Sequence, residues 1–334
     1  MEKHRGLGAC VIFASTLSLP DMGRQSRNRR RRVIATSPGI KPQPPQPRSQ
    51  RKKSIKKASS NRPWGVFAGI GGAIAIFAVL ILALDLSTGS NQNTSSSPAS
   101  ASVVSAITHL QPSELTQVGT GDINYPPKAV SKPTPLRSNG KPEVLYIGAE
   151  YCPYCALERW SLIGALSQFG TFHNLKTIRS SATDPAGPNI ATFTFAKGTT
   201  YTSPYLSFVT REMFTNIPTT TNPVGYTKLQ SLTKAEDKVF TALDPSQGFP
   251  FVDFGGKVAQ VGSESAQPSQ PGPSGLVGYS WNQIASHLHN PTSTPAKLIL
   301  GGVNYDIAAI CSLTGNRPGS VCDRPLVKKL EATL

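Results

Sequence analysis

The stretch Glu143-Val-Leu-Tyr-Ile-Gly-Ala-Glu-Tyr-Cys-Pro-Tyr-Cys155 restricts the folds open to this chain more than any other. Its apolar run, Val144 to Ala149, reads as a buried strand that ends in a turn and opens directly into CPYC. Beyond the motif, Leu162, Ile163, Leu166 and Phe169 recur at three- and four-residue spacing, the pattern of a helix with a buried face. Pro153 suits the first position of that helix, where its missing N–H costs nothing. Cys152 is then the N-cap, and Cys155 lies one turn inside.

That placement has chemical consequences. A thiol at a helix N-terminus faces unpaired N–H groups and the positive end of the helix dipole. Both favour the thiolate, so Cys152 is expected to titrate below an ordinary cysteine. The thiolate is the nucleophile in disulfide exchange, and Cys155 is placed to resolve the mixed disulfide. The same spacing also serves half a zinc site, a static disulfide, or a redox site that has lost its activity.

Charge divides the chain. Residues 1–63 hold 16 Lys and Arg against two acids, whereas residues 64–334 hold 18 against 16. The basic character therefore belongs to an arm. Trp64 to Leu84 follows, 21 residues without a charge between Arg62 and Asp85. As a helix it would extend about 31 Å, enough to cross a bilayer's hydrocarbon core. The positive-inside rule places the arm in the cytoplasm and residues 85–334 outside, as a single-pass cell-membrane protein. Cysteine usage agrees: four of the five cysteines lie beyond the span, an even number facing an oxidising compartment.

Residues 1–21 resemble a short signal peptide, but Met22, opening MGRQSRNRRRR, looks like a natural start, so they are expected to be an over-extended beginning in which Cys10 has no role. The rest of the arm is rich in Arg, Lys, Pro, Gln and Ser and is expected to be disordered. It lacks aromatic residues to stack on bases, so anionic lipid is its expected partner rather than nucleic acid. Gly65 and Gly69 form a GxxxG pattern that would allow a homodimer in the membrane. Residues 85–102, mostly small and polar, read as a flexible tether, and the outer domain runs over 103–334.

Within that domain, Val103 to Gly119 reads as one or two short helices with Ser113 as an N-cap. Residues 120–142 are extended. Leu175 to Ser180 reads as a second strand. An insertion follows at about 181–232, β-rich with some helix, whose Phe193, Phe195, Tyr201, Tyr205, Phe208 and Phe214 are assigned to the core. Thr233 and Glu236 form a capping box for a helix ending near Leu243. Gly255-Gly256 joins two apolar strands in a hairpin. Helices are expected at 280–290 and 298–314. Cys311 and Cys322 form a structural disulfide or, alternatively, a relay to the CPYC pair; zinc held by all four cysteines would need an unusual spacing. No other metal or cofactor motif is present.

The strand Val144–Ala149, the motif Cys152-Pro-Tyr-Cys155 with its helix, the strand Leu175–Ser180, Phe249-Pro250 and the hairpin at Gly255-Gly256 together resemble the thioredoxin superfamily, an α/β fold. The resemblance implies that Pro250 is a cis-proline beside the motif, that it shapes a peptide site, and that it keeps metals off the thiols. Phe249 before it is bulkier than usual and would narrow access to Cys152. Glu150 and Glu158 are the nearby candidates for a buried acid, though both read as solvated surface residues. From about 103 to 325 the chain also resembles family 929 of the domains of unknown function, membrane-anchored thioredoxin-like proteins without an established activity. Two functions are expected from this reading. The first is a thiol–disulfide oxidoreductase acting without cofactor on protein thiols and disulfides, with a membrane redox protein as an expected partner. The second is an inactive binding or assembly module on the same fold, both cysteine pairs being static.

Overall fold

A computed structural model describes residues 96–265 and 272–334. The arm, the apolar span with Gly65 and Gly69, Cys10 and most of the tether lie outside these residues. In chain order the described strands are β1 Ser97–Pro98, β2 Lys128–Ala129, β3 Arg137–Ser138, β4 Lys141–Gly148, β5 Thr171–His173, β6 Lys176–Arg179, β7 Ala191–Thr194, β8 Thr200–Thr202, β9 Ser207–Glu212, β10 Phe214–Pro218, β11 Tyr226–Lys228, β12 Phe251–Phe254 and β13 Val258–Val261. The helices are α1 Ala101–Thr108, α2 Pro112–Val118, α3 Pro153–Leu166, α4 Lys234–Leu243, α5 Trp281–His287, α6 Thr294–Thr314, α7 Gly319–Cys322 and α8 Pro325–Glu331.

The apolar run after Glu143 becomes the middle of the central sheet. β4 pairs in parallel with β9, Glu143 opposite Ser207 and Gly148 opposite Glu212. On its other side β12 runs antiparallel, Ile147 opposite Phe251 and Val144 opposite Phe254. β13 pairs antiparallel with β12, and β2 extends the edge. β3 pairs with the first residues of β4. Because side chains alternate along a strand, β4 feeds two cores. Val144 and Tyr146 join a large cluster with Trp160, Leu162 and Ile163 of α3 and Leu298, Leu300 and Val303 of α6. Leu145 and Ile147 join Phe240 of α4 and Phe251. Helices thus cover both faces of a mixed α/β sheet.

β6 forms within the expected strand Leu175–Ser180, but it does not join the central sheet; it pairs with β1 and β7. The parallel neighbour of β4 is instead β9, from inside the stretch the sequence assigns to an insertion. The reason lies in its composition, Ser-Phe-Val-Thr-Arg-Glu. Phe208 packs against the large cluster and Val209 against the smaller one. The charges that obscure the apolar pattern are met by partners, Arg211 by Glu236 and Glu212 by Arg159.

Ordered structure begins ahead of position 103, since β1 pairs with β6 and α1 starts at Ala101. α2 starts earlier than Ser113: Gln111 is its N-cap, in a capping box with Glu114, and Pro112 takes the first helical position. The capping boxes of α4 (Thr233 and Glu236) and α5 (Ser280 and Gln283) form. The hairpin at Gly255-Gly256 forms with both glycines at positive φ. Only glycine fits at 256, where a Cβ would lie 1.7 Å from the Thr134 carbonyl oxygen.

Helix α6 is the central pillar. It is 21 residues long and, among the described residues, the one helix long and apolar enough to cross a membrane. Its apolar window is 89% buried within the protein, as in a core helix. Gly302 lets it approach α3, because a Cβ there would meet the Ser161 Oγ at 2.5 Å. Cys311 near its end is joined to Cys322 of α7, and both are fully buried. A buried disulfide therefore joins this pair.

Candidate functional site

The CPYC motif lies at the end of β4 and the start of α3. Cys152 is the N-cap of α3, and its sulfur accepts the Cys155 N–H at 3.4 Å. Pro153 occupies the first helical position. The Cys152 thiol faces the Phe249 carbonyl oxygen at 3.8 Å, and Phe249–Pro250 is a cis peptide. The structure thus brings Cys152, Cys155, Phe249 and Pro250 to one place. Cys152 and Cys155 are both thiols.

Neither thiol reaches the surface; both are 0% exposed. They share a small cluster with Ala149, Tyr151 and Tyr154, against which Ala186, Phe214, Val224, Tyr226 and Phe249 pack. Most of that cover comes from the hairpin β10–β11 and its turn. Tyr226 stacks on Tyr151 with centroids 4.1 Å apart and planes 6° apart, and its hydroxyl is 2.6 Å from the Ser181 Oγ. Phe214 meets Tyr151 edge-on at 6.3 Å. Phe249 also stacks with Phe240. Burial pushes the Cys155 thiol well above its usual range, and the neighbouring Cys152 thiol adds to the effect.

Behind Cys155 lies a buried ion pair. Arg159, one turn further along α3, donates from Nε and Nη2 to the two carboxylate oxygens of Glu212 at 2.8 Å each, and from Nη2 to the Ala149 carbonyl at 2.7 Å. Both side chains are fully buried. Burial alone would lower the Arg159 pKa, but the Glu212 carboxylate holds it well above its ordinary value. Tyr146 also reaches this region from β4, and burial raises its hydroxyl well above the usual tyrosine range. Sequence reasoning missed Arg159, Glu212, Tyr146 and Tyr226. Arg159 alone carried a signal, a cation on a helix whose following turns are apolar.

Glu150 and Glu158 are buried rather than solvated. Glu150 Oε1 accepts the Thr194 hydroxyl at 2.7 Å and pairs with Lys197 at 3.4 Å, which offsets part of the cost of its burial. Glu158 meets Asp306 of α6 and Glu264 from the segment after β13. Burial raises Glu158 to about 8. Burial, then the neighbouring carboxyls, raises Glu264 and Asp306 well above their usual range.

Cys311 and Cys322 belong to the large cluster and the CPYC thiols to the small one. The two pairs thus pack in different clusters, and the first is joined as a disulfide. Among the described residues no group of three or more His, Cys, Asp or Glu side chains is placed to hold a metal ion.

Neither a curated protein nor a solved structure matches the chain. The family model described as a domain of unknown function, DUF929, matches residues 128–312, from β2 through the CPYC site to the end of α6. The span is narrower than 103–325 but includes every part of the thiol site. The chain belongs to the DUF929 family.

Proposed function

We propose that this chain is a thiol–disulfide oxidoreductase on a thioredoxin-like domain, held outside the cell by the apolar span 64–84 and acting on protein thiols and disulfides. The observation that carries the reading is Cys152 as N-cap of α3, its sulfur accepting the Cys155 N–H beside the Phe249–Pro250 carbonyl. The order of the central sheet supports the fold assignment: a parallel pair, β4 and β9, then the antiparallel hairpin β12–β13, with helices on both faces.

The Cys152 thiolate attacks one sulfur of a substrate disulfide, forming a mixed disulfide and releasing the other sulfur as a thiolate. Cys155 then attacks the Cys152 sulfur. A Cys152–Cys155 disulfide forms, the substrate sulfur leaves and takes a proton, and two electrons have passed to the substrate. Run backwards, the same steps oxidise a dithiol. Phe249 and Pro250 border the point of attack and position the substrate chain. A membrane redox protein would reset the pair, and Gly65 and Gly69 would allow two copies to associate in the bilayer.

The complete burial of both thiols favours a second reading, an inactive binding module on the same fold. Equilibration of the full chain carrying Cys10→Ser in glutathione buffers, with thiol trapping, separates the two. The oxidoreductase gives one pair that titrates between about −270 and −120 mV and is lost with Cys152→Ser. A binding module keeps both pairs oxidised below about −300 mV.

A further inference from the structure

Tyr146 is spent on nothing that the packing of the core requires of a hydroxyl. Its ring lies edge-on to Phe195 at 5.1 Å, a contact that phenylalanine would make equally. Its Oη is buried and has no hydrogen-bond partner among the described residues. A buried hydroxyl without a partner is costly. Gly148 shows what stands beside it. A Cβ at that position would lie 2.1 Å from the Tyr146 Oη and 3.1 Å from the Cys155 Sγ, so hydroxyl and sulfur flank the same glycine. Arg159 completes the setting: Nε and Nη2 are committed to Glu212 and Ala149, while Nη1 is buried without a hydrogen-bond partner among the described residues.

We infer that the Tyr146 hydroxyl is the donor that holds the Cys155 sulfur as a thiolate while it resolves the mixed disulfide, with Arg159 supplying the counter-charge. The inference rests on the oxidoreductase reading. A thiolate in a dry site needs a hydrogen bond and an opposite charge. The groups that face Cys155 are Cys152 and Arg159 from α3 and Tyr146 from β4; Glu212 of β9 faces Tyr146 and Arg159. The Ala149 backbone also hydrogen-bonds the sulfur; of the side chains, Tyr146 and Arg159 can donate to it during resolution, because Cys152 is then bonded to substrate. The chemistry balances. The Cys155 proton goes to the departing substrate sulfur, the Cys155–Cys152 bond forms as the Cys152–substrate bond breaks, and Tyr146 keeps its own proton throughout. Tyr146 is a positioning residue for the second step and takes no part in the first.

The two steps can be watched separately with 5,5′-dithiobis(2-nitrobenzoate) as substrate, in the full chain carrying Cys10→Ser. Attack by Cys152 releases one thionitrobenzoate, and resolution by Cys155 releases the second. Tyr146→Phe is expected to leave the first phase within about twofold and to slow the second about tenfold near neutral pH, moving its pH midpoint upward. Tyr146→Leu, another side chain without a hydroxyl, carries the same test if the phenylalanine variant loses its native circular dichroism. An unchanged second phase with an unchanged midpoint overturns the role of Tyr146 and leaves the oxidoreductase standing. Absence of a second release from the parent chain overturns the oxidoreductase itself.

Discussion

Tyr226 holds the β10–β11 hairpin against the thiol cluster by two contacts, its stack on Tyr151 and its hydroxyl bond to Ser181. Truncation by Tyr226→Ala removes both. An aromatic pair contributes about 0.5–1.5 kcal/mol beyond its burial, and a hydrogen bond about 1 kcal/mol. Together they favour opening of the hairpin by roughly 2 kcal/mol, near thirtyfold at about 1.4 kcal/mol per factor of ten. Cys152 is fully buried while the hairpin is closed, so its reaction with iodoacetamide reports the open fraction. The full chain with Cys10→Ser should therefore be alkylated at Cys152 about thirtyfold faster when Tyr226 is alanine, as mapped by mass spectrometry. Tyr226→Phe keeps the stack and loses the hydrogen bond, and should raise the rate about fivefold. Unfolding midpoints measured in parallel separate local from global opening. A rise below about threefold for Tyr226→Ala, or one matched at every buried residue, would refute the hairpin as the cover.

Three further outcomes follow from other parts of the site. Glu158 keeps its proton up to about pH 8, against 4.5 for an ordinary glutamate, because it is buried. Its contribution to stability is therefore present below about pH 4.5 and lost as pH rises through about 8, on the order of 5 kcal/mol in all. Urea unfolding at pH 5, 7 and 9 should show Glu158→Gln gaining on the parent chain as pH rises, and a pH-independent difference would contradict this. Replacing Arg159 by Met leaves the Glu212 carboxylate buried without its partner and should cost about 3–5 kcal/mol; Arg159→Met with Glu212→Leu should recover most of it, and a double variant no more stable than the single would reject the pair as the cause. Opening the Cys311–Cys322 loop by changing both to Ser should cost about 3 kcal/mol and leave Cys152 exchange unchanged, whereas slowed exchange would restore the relay.

The parts of the fold legible in the sequence are those whose signal is local. CPYC carries its own geometry, since proline suits the first helical position after a capping residue and an apolar helical pattern follows it directly. The capping box at Thr233 and Glu236 and the hairpin at Gly255-Gly256 are likewise set within a few residues. β9 was hidden because its charged residues are satisfied at long range, Glu212 by Arg159 53 positions away and Arg211 by Glu236 25 positions away. Glu158 misled for a related reason. A glutamate on a helix reads as solvated unless one knows that α6 packs across it, and that contact joins positions more than a hundred residues apart. The cover over Cys152 left no trace at all, because Tyr151 and Tyr226 meet only after β10 and β11 have turned back on themselves.

Helix α6 poses a problem of delivery. On the proposed topology the domain crosses a bilayer unfolded, and a segment as long and apolar as Thr294–Thr314 resembles a second anchor to the machinery that carries it. Asn304 sits at its midpoint and Asp306 one half-turn on. An aspartate near the centre of a span costs about 2.5–3.5 kcal/mol to leave in the membrane. After folding, Asn304 donates to the carbonyls of Leu115 and Gly119, while the Asp306 carboxyl is buried without a hydrogen-bond partner among the described residues. On that topology Asp306 would let the helix travel through, at some expense to the finished domain. Asp306→Leu should raise the share of chains whose C-terminus stays on the inner side, read by protease accessibility of a C-terminal tag, and an unaltered share would show that α6 is exported without it.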